Sequence, residues 1–139
     1  MSIDSQSLEA PSFGWCILYV DNVENAARFY ADALGLEVRF AHESGTYTEL
    51  ETGATTLALC DRASAAESSG LTLERPNSPV VTASNITLVC SDVEGRWTHA
   101  LQHGAQPVSA PVAKPWGQTC AYVRDPDGHL IELATAIDR

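Results

Sequence analysis

With 139 residues the chain has room for one ordinary domain, so two independent modules of usual size are excluded, and a core can form without disulfide or metal staples. Eight basic against eighteen acidic residues give a formal charge of −10, which opposes binding to phosphate backbones or anionic lipid and mildly favours cationic partners. No apolar run approaches the ~18 residues of a membrane span and the first twelve residues carry no basic-then-apolar leader pattern; a cytoplasmic protein with no nucleic-acid or membrane partner is expected. Cys16, Cys60, Cys90 and Cys120 lie far apart without a C-x-x-C pair, and are expected as buried, reduced thiols.

In chain order, Gly14 to Val20 is apolar and rich in strand formers. Asp21-Asn-Val-Glu24 follows, a capping-box pattern with Asp21 as the cap. Val23, Ala26, Ala27, Tyr30 and Leu34 then recur at helical spacing, and Gly35 is placed to stop the helix. Short strands are expected over 36–41, 46–51 and 55–60, separated by turn signals at Glu43-Ser-Gly45 and Thr52-Gly53. The segment 62–82, rich in Ala, Ser and Pro, reads as a mobile connector. About 70 residues on, the pattern repeats: Asn85 to Cys90 as a strand, Ser91-Asp-Val-Glu94 as a cap on Ser91, Val93, Trp97, Ala100 and Leu101 at helical spacing, Gly104 as the stop, then strands over 106–112, 118–124 and 129–135. The last two are joined by Asp125-Pro-Asp-Gly128, whose Pro and Gly suit a tight turn. The unit is βαβββ, present twice, as module 13–61, connector 62–82 and module 83–136 of one domain over 13–136. The fold class is α+β, with two curved mixed sheets around a shared cavity.

The stretch Val20-Asp-Asn-Val-Glu-Asn-Ala-Ala-Arg-Phe-Tyr-Ala-Asp-Ala-Leu-Gly-Leu-Glu-Val38, together with Tyr122-Val-Arg-Asp-Pro-Asp-Gly-His-Leu-Ile-Glu-Leu133, resembles the glyoxalase / bleomycin-resistance / extradiol-dioxygenase superfamily, the vicinal oxygen chelate fold. The resemblance covers about residues 13–136. It implies a cavity in which enzymes of the family hold a divalent metal on His, Gln or Glu from the first and last strands of each module, and it implies a homodimer. Carried onto this chain, the four metal positions are Trp15, Ala58, Asn85 and Glu132, with Glu51 aligned to Asp125. Indole and methyl groups cannot coordinate, and Asn with Glu is weak beside the usual set, so no metal cofactor is expected; the alternative is a divalent ion held through Glu132.

Alternation along a strand places Trp15, Ile17 and Tyr19 on the cavity face and Cys16, Leu18 and Val20 under the helix. By the same parity Asn85, Thr87 and Val89 face the cavity, as do Leu130, Glu132 and Ala134. The middle strands offer either Tyr47, Glu49 and Glu51 or Thr48 and Leu50, and either Cys120 and Tyr122 or Ala121 and Val123. Because Leu50 suits the core, Glu49 is the candidate second acid. Trp116 lies on a loop that in family members often borders the pocket. The expected ligand-binding set is therefore Trp15, Tyr19, Glu49, Asn85, Thr87, Trp116 and Tyr122, with Glu132 the candidate catalytic carboxylate. Without a metal, Glu132 should have a raised pKa, or else be satisfied by a hydrogen bond or a cationic ligand group. His99 and His103, four apart on a helix, are read as solvated surface; His42 and His129 stand beside turns, and Trp97 is read as core. Two functions follow: a binding protein similar to the bleomycin-resistance proteins, taking a small aromatic or cationic molecule, or an enzyme, either a divergent metal-dependent lyase, isomerase or dioxygenase using Glu132 or a metal-free catalyst with Glu132 or Glu49 as general base.

Overall fold

A computed structural model of the chain describes residues 8–75 and 82–137. Its elements run β1 (Trp15–Val20), α1 (Val23–Leu34), β2 (Val38–Ala41), β3 (Tyr47–Leu50), β4 (Thr56–Asp61), α2 (Arg62–Ser69), β5 (Ile86–Val89), α3 (Val93–Gln102), β6 (Gln106–Ala113), β7 (Thr119–Arg124) and β8 (Leu130–Ala134). Two four-stranded mixed sheets result, ordered β1-β4-β3-β2 and β5-β8-β7-β6. In each, the first and last strands of the repeat pair in parallel, and the remaining pairs are antiparallel.

Register ties the two halves together residue by residue. Ile17 pairs with Ala58 and Thr87 with Glu132; Glu49 pairs with Ala58 and Tyr122 with Glu132. Ile17 therefore matches Thr87, Ala58 matches Glu132, and Glu49 matches Tyr122. Counting from the same register, Thr52 rather than Glu51 matches Asp125, because the chain takes one residue more between Tyr122 and Glu132 than between the matching Glu49 and Ala58.

Both helix caps lie one residue later than the capping-box reading placed them. Asn22 caps α1, its side chain accepting from the backbone N–H of Asn25 at 2.8 Å, and Asp92 caps α3, accepting from Gly95 N–H at 2.9 Å. A short Asx side chain reaches the amide three residues on, so Asn22 and Asp92 displace Asp21 and Ser91. The connector also differs from expectation: 62–69 is helix α2, capped by Asp61 and closed by Gly70 at φ 75°. Alanine favours helix as readily as a small-residue linker, and once Asp61 supplies a cap the segment winds. Positions 76–81 of the expected connector lie outside the described residues.

One apolar core serves both halves. Leu18, Val20, Tyr30, Leu34 and Leu59 from the first merge with Val93, Ala100, Val123, Ile131 and Leu133 from the second, and α1 packs directly on α3. With both helices on one side, the opposite faces of the two sheets stay open.

A polar staple fixes the halves. The Tyr30 hydroxyl, buried, donates to Asp125 Oδ2 at 2.6 Å, and Asp125 Oδ1 accepts from the backbone N–H groups of Asp127 and His129 at 3.0 and 2.8 Å. Asp127 in turn accepts from Asp21 N–H at 2.9 Å, and Arg62 of α2 pairs with both Asp21 and Asp127. Burial pushes the Tyr30 hydroxyl well up, keeping it a donor. Burial also pushes the Asp125 carboxyl up, against the opposing pulls of His129 and the Tyr30 hydroxyl. The Phe-Tyr and Asp-Pro-Asp-Gly signatures thus hold the architecture together. His99 departs from the solvated reading: its Nε2–H donates to the Asp32 carbonyl at 2.7 Å, joining α3 to α1, and its ring stacks on His103 at 4.1 Å between centroids.

Candidate functional site

The open face of the first sheet carries a carboxylate ringed by donors. Trp15, Ile17 and Tyr19 of β1 are exposed there while Leu18 and Val20 are buried, the alternation an edge strand over a core imposes. On β3, Thr48 and Leu50 are buried, which turns Tyr47 and Glu49 to the open side. Glu49 Oε2 accepts from the Tyr47 hydroxyl at 2.7 Å and from the Trp15 indole N–H at 3.2 Å, and Oε1 accepts from the Arg39 guanidinium at 3.2 Å. Arg39 comes from β2 and also reaches Glu51 at 3.9 Å. The Tyr47 hydroxyl bond, followed by those from Trp15 and Arg39, holds the Glu49 carboxyl below the ordinary range against the partial loss of solvent. Tyr47 responds oppositely, pushed up to about 12 by burial and by the anion it serves.

The second sheet builds its own acid from different strands. Glu132 on β8 accepts from the Thr87 hydroxyl of β5 at 2.7 Å and from the Tyr122 hydroxyl of β7 at 2.9 Å, one donor per oxygen. Asn85 Nδ2 donates to Thr87 Oγ1 at 2.8 Å, extending the chain along β5. The Cys120 thiol, itself buried, adds a bond to the same carboxylate. Burial raises the Glu132 carboxyl, but the bonds from Thr87, Tyr122, Cys120 and Asn85 outweigh it and leave the group below its ordinary value. Of the two states expected for a metal-free Glu132, hydrogen-bonded satisfaction is the one observed, and a raised pKa is not. The same anion and burial raise the Cys120 thiol and the Tyr122 hydroxyl, so all of these groups remain donors.

The structure therefore brings Trp15 to Glu49, and Asn85, Thr87 and Tyr122 to Glu132. Tyr19 lies further along β1, its carbonyl accepting from His129 Nε2–H at 2.9 Å. Trp116 stands apart on the β6–β7 loop, exposed, its indole donating to Gln118 Oε1 at 2.7 Å. Trp97 packs against the core and donates to the Tyr122 carbonyl at 3.4 Å. Arg39 was not singled out from the sequence, and Tyr47 and Cys120 each stood only as one of two parities; the parity that selects Glu49 also selects Tyr47, whereas Arg39 could be assigned only from cross-strand register.

Two clefts run along the gap between the edge strands β1 and β5. The larger, about 690 Å³, is lined by Phe13, Cys16, Thr56, Asn85, Thr87 and Arg96 among others; a second, about 520 Å³, is lined by Tyr19, Asn85, His129 and neighbours. Neither Glu49 nor Glu132 lines them; both lie on the open faces beside the gap.

A divalent metal does not fit the four family positions. Trp15 and Ala58 offer no lone pair, Asn85 could lend only its amide oxygen, its nitrogen being the donor to Thr87, and both oxygens of Glu132 accept from hydroxyls. One carboxylate and one amide oxygen fall short of the roughly three protein ligands such an ion takes. Among the described residues, no group of three or more His, Cys, Asp or Glu is placed to hold a metal ion, and no helix is long and apolar enough to cross a membrane.

Comparison with known proteins agrees with this architecture. An uncharacterized protein of Bacillus subtilis (strain 168), YraH, is 26% identical over 117 residues, spanning 84% of this chain and 91% of its own. The structure of a glyoxalase-related enzyme from Fulvimarina pelagi superposes with a TM-score of 0.77 at 21% identity, covering 91% of this chain and 89% of that one. That of a glyoxalase/bleomycin resistance protein/dioxygenase from Nocardioides gives 0.70 at 22%, covering 96% and 90%. These structural likenesses speak for the fold. The family model of the Glyoxalase/Bleomycin resistance protein/Dioxygenase superfamily matches residues 12–133, nearly the whole chain, and the protein belongs to that superfamily.

Proposed function

We propose that this protein binds a small aromatic organic cation on the open face of its sheets, without a metal and without turning the ligand over. The observation that carries the reading is the Glu132 carboxylate: it is held ionised by Thr87, Tyr122, Cys120 and Asn85, all of them neutral. Its charge is stabilised without being cancelled. A carboxylate whose pKa has been lowered by several donors is a weak base, which disfavours proton abstraction and favours electrostatic capture. Trp15, about 57% exposed on the neighbouring sheet, offers an aromatic face to a planar ligand, and aromatic faces also attract cations.

Tryptophan fluorescence titrated with planar organic cations and with neutral molecules of the same shape tests the reading. The cations should quench at concentrations about tenfold lower than their neutral counterparts, and Glu132→Gln should remove that advantage. Equal affinity for both sets would overturn it. So would near-stoichiometric retention of Ni²⁺, Zn²⁺, Mn²⁺ or Fe²⁺ after dialysis that Glu132→Ala abolishes, since this is the signature of the metal-dependent enzyme.

The homodimer implied by the resemblance is part of the same proposal. Trp15, Ile17 and Val89 on the open faces, with Phe40 and Val112 towards the outer strands, are large apolar side chains left exposed, the kind of surface that a partner subunit covers. Light scattering at micromolar concentration should give twice the chain mass; a monomer would contradict it.

A further inference from the structure

The 690 Å³ cleft between β1 and β5 has a chemistry opposite to that of the open faces. Its walls are apolar, from Cys16, Leu34, Leu36, Leu57 and Leu133, and threonine and asparagine side chains stand at its polar positions. Arg96 of α3 supplies the one charged group among the described residues that line it. In a chain with eighteen acids and eight bases, a cleft whose only charge is positive is selective by sign. Arg96 is half-buried. Its Nη1–H donates to the Ala33 carbonyl at 3.4 Å, near the end of α1. The guanidinium lies beside Gly35, the left-handed stop of α1 at φ 73°. The bond to the Ala33 carbonyl occupies one of five N–H donors in a planar fork suited to carboxylate.

From this juxtaposition we propose that the β1–β5 cleft is a second binding site, for an amphipathic organic anion with a carboxylate on an apolar body. The carboxylate pairs with Arg96 and the apolar body lies along Leu34, Leu36, Leu57 and Leu133. The cleft volume falls within the range of small-molecule sites, roughly 300–1,000 Å³. Neither Glu49 nor Glu132 lines the cleft, but Asn85 and Thr87 do, so it adjoins the Glu132 network at the Thr87 hydroxyl; the two readings are told apart by the sign of the ligand's charge, tested at Arg96 for the one and at Glu132 for the other.

Calorimetric titration of the full chain with decanoate, decanol and decyltrimethylammonium, which share a chain and differ in head charge, decides the matter. Decanoate should bind about tenfold tighter than decanol, the yield of a charge-assisted pair with arginine, and decyltrimethylammonium should fail to displace decanoate. Arg96→Gln should bring decanoate down to the affinity of decanol, while Arg96→Lys should keep part of the preference. Because Arg96 also touches the end of α1, a second variant guards against misfolding: Thr55→Trp changes an exposed residue lining the cleft and should block decanoate while the melting temperature stays within a few degrees of wild type. Equal affinity for decanoate and decanol, displacement of decanoate by decyltrimethylammonium as readily as by a second carboxylate, an unchanged decanoate preference in Arg96→Gln, or undiminished decanoate binding in a folded Thr55→Trp would each overturn the proposal.

Discussion

The two open faces are built on one repeated backbone and yet carry their acids on different strands. In the first half the position that matches Glu132 is Ala58, and the acid has moved to Glu49, whose own match is Tyr122. The partners differ as well. Glu49 is met by the Arg39 guanidinium besides Trp15 and Tyr47, whereas Glu132 is met by a serine-like hydroxyl from Thr87, a phenol and a thiol. A symmetric scaffold therefore supports one acid met by an arginine that it shares with Glu51 and one met by neutral donors alone, and under the proposed function it is the second that recognises the cation.

The turns show the same asymmetry most strongly, and breaking them should give the largest effect. Asp125→Ala removes the acceptor of the buried Tyr30 hydroxyl and of two backbone amides, which should cost about 2–4 kcal/mol. Its structural match, Thr52, closes only its own turn, accepting from Leu57 N–H and donating to the Thr55 carbonyl, so Thr52→Ala should cost about 1 kcal/mol or less. Chemical denaturation of both variants checks this; equal losses would mean that Asp125 does not join the halves.

The acids come next. Glu132→Gln should weaken a planar cation about tenfold. Glu49→Gln should weaken it by no more than about threefold, because a cation approaching Glu49 also meets Arg39 and settles at Glu132, leaving Glu49 to act through screened solvent. Fluorescence titration of the two variants ranks them, and the reverse order would transfer the binding role to the first sheet. Both carboxyls lie below the ordinary value of 4.5. A group with a lower pKa folded than unfolded stabilises the fold above its unfolded pKa and withdraws that support as pH falls through the folded value. Melting temperature should therefore drop as pH falls below about 4.5, and drop less in Glu132→Gln. Asp125, raised on folding, acts in the opposite sense, so the difference between wild type and Glu132→Gln isolates Glu132.

Much of this organisation is legible in the residues, and the limits have physical causes. The alternation of β1 separates Trp15, Ile17 and Tyr19 from Leu18 and Val20 because an edge strand over a core has period two. Glu49 follows from the burial of Leu50 next to it. Arg39 is invisible from its own neighbourhood, since its meeting with Glu49 depends on a register shift between Val38 and Phe40. Helix α2 is hidden by composition, Ala and Ser serving linker and helix alike. The β1–β5 cleft has no local signature at all: it is the space left between two sheets whose separation is set by α1 against α3 and by the Tyr30–Asp125 staple.

The smallest expected effect tests the remaining half of the comparison. Trp15 gives Glu49 one bond at 3.2 Å from a largely exposed ring, so Trp15→Phe should cost less than about 1 kcal/mol. Carboxyl-detected NMR titration should show Glu49 moving only slightly back towards the ordinary glutamate range, because Tyr47 and Arg39 remain. Quenching by a planar cation should shrink at the same time, since Trp97 packs on the core and Trp116 on a separate loop. A loss of 2 kcal/mol or more would mean that Trp15 supports the sheet, and the ligand's aromatic platform would then have to be sought at Tyr19. A small loss with diminished quenching leaves Trp15 as the face on which the ligand lies, with its cationic end directed at Glu132, which of the two open-face carboxylates is the one met by neutral donors alone.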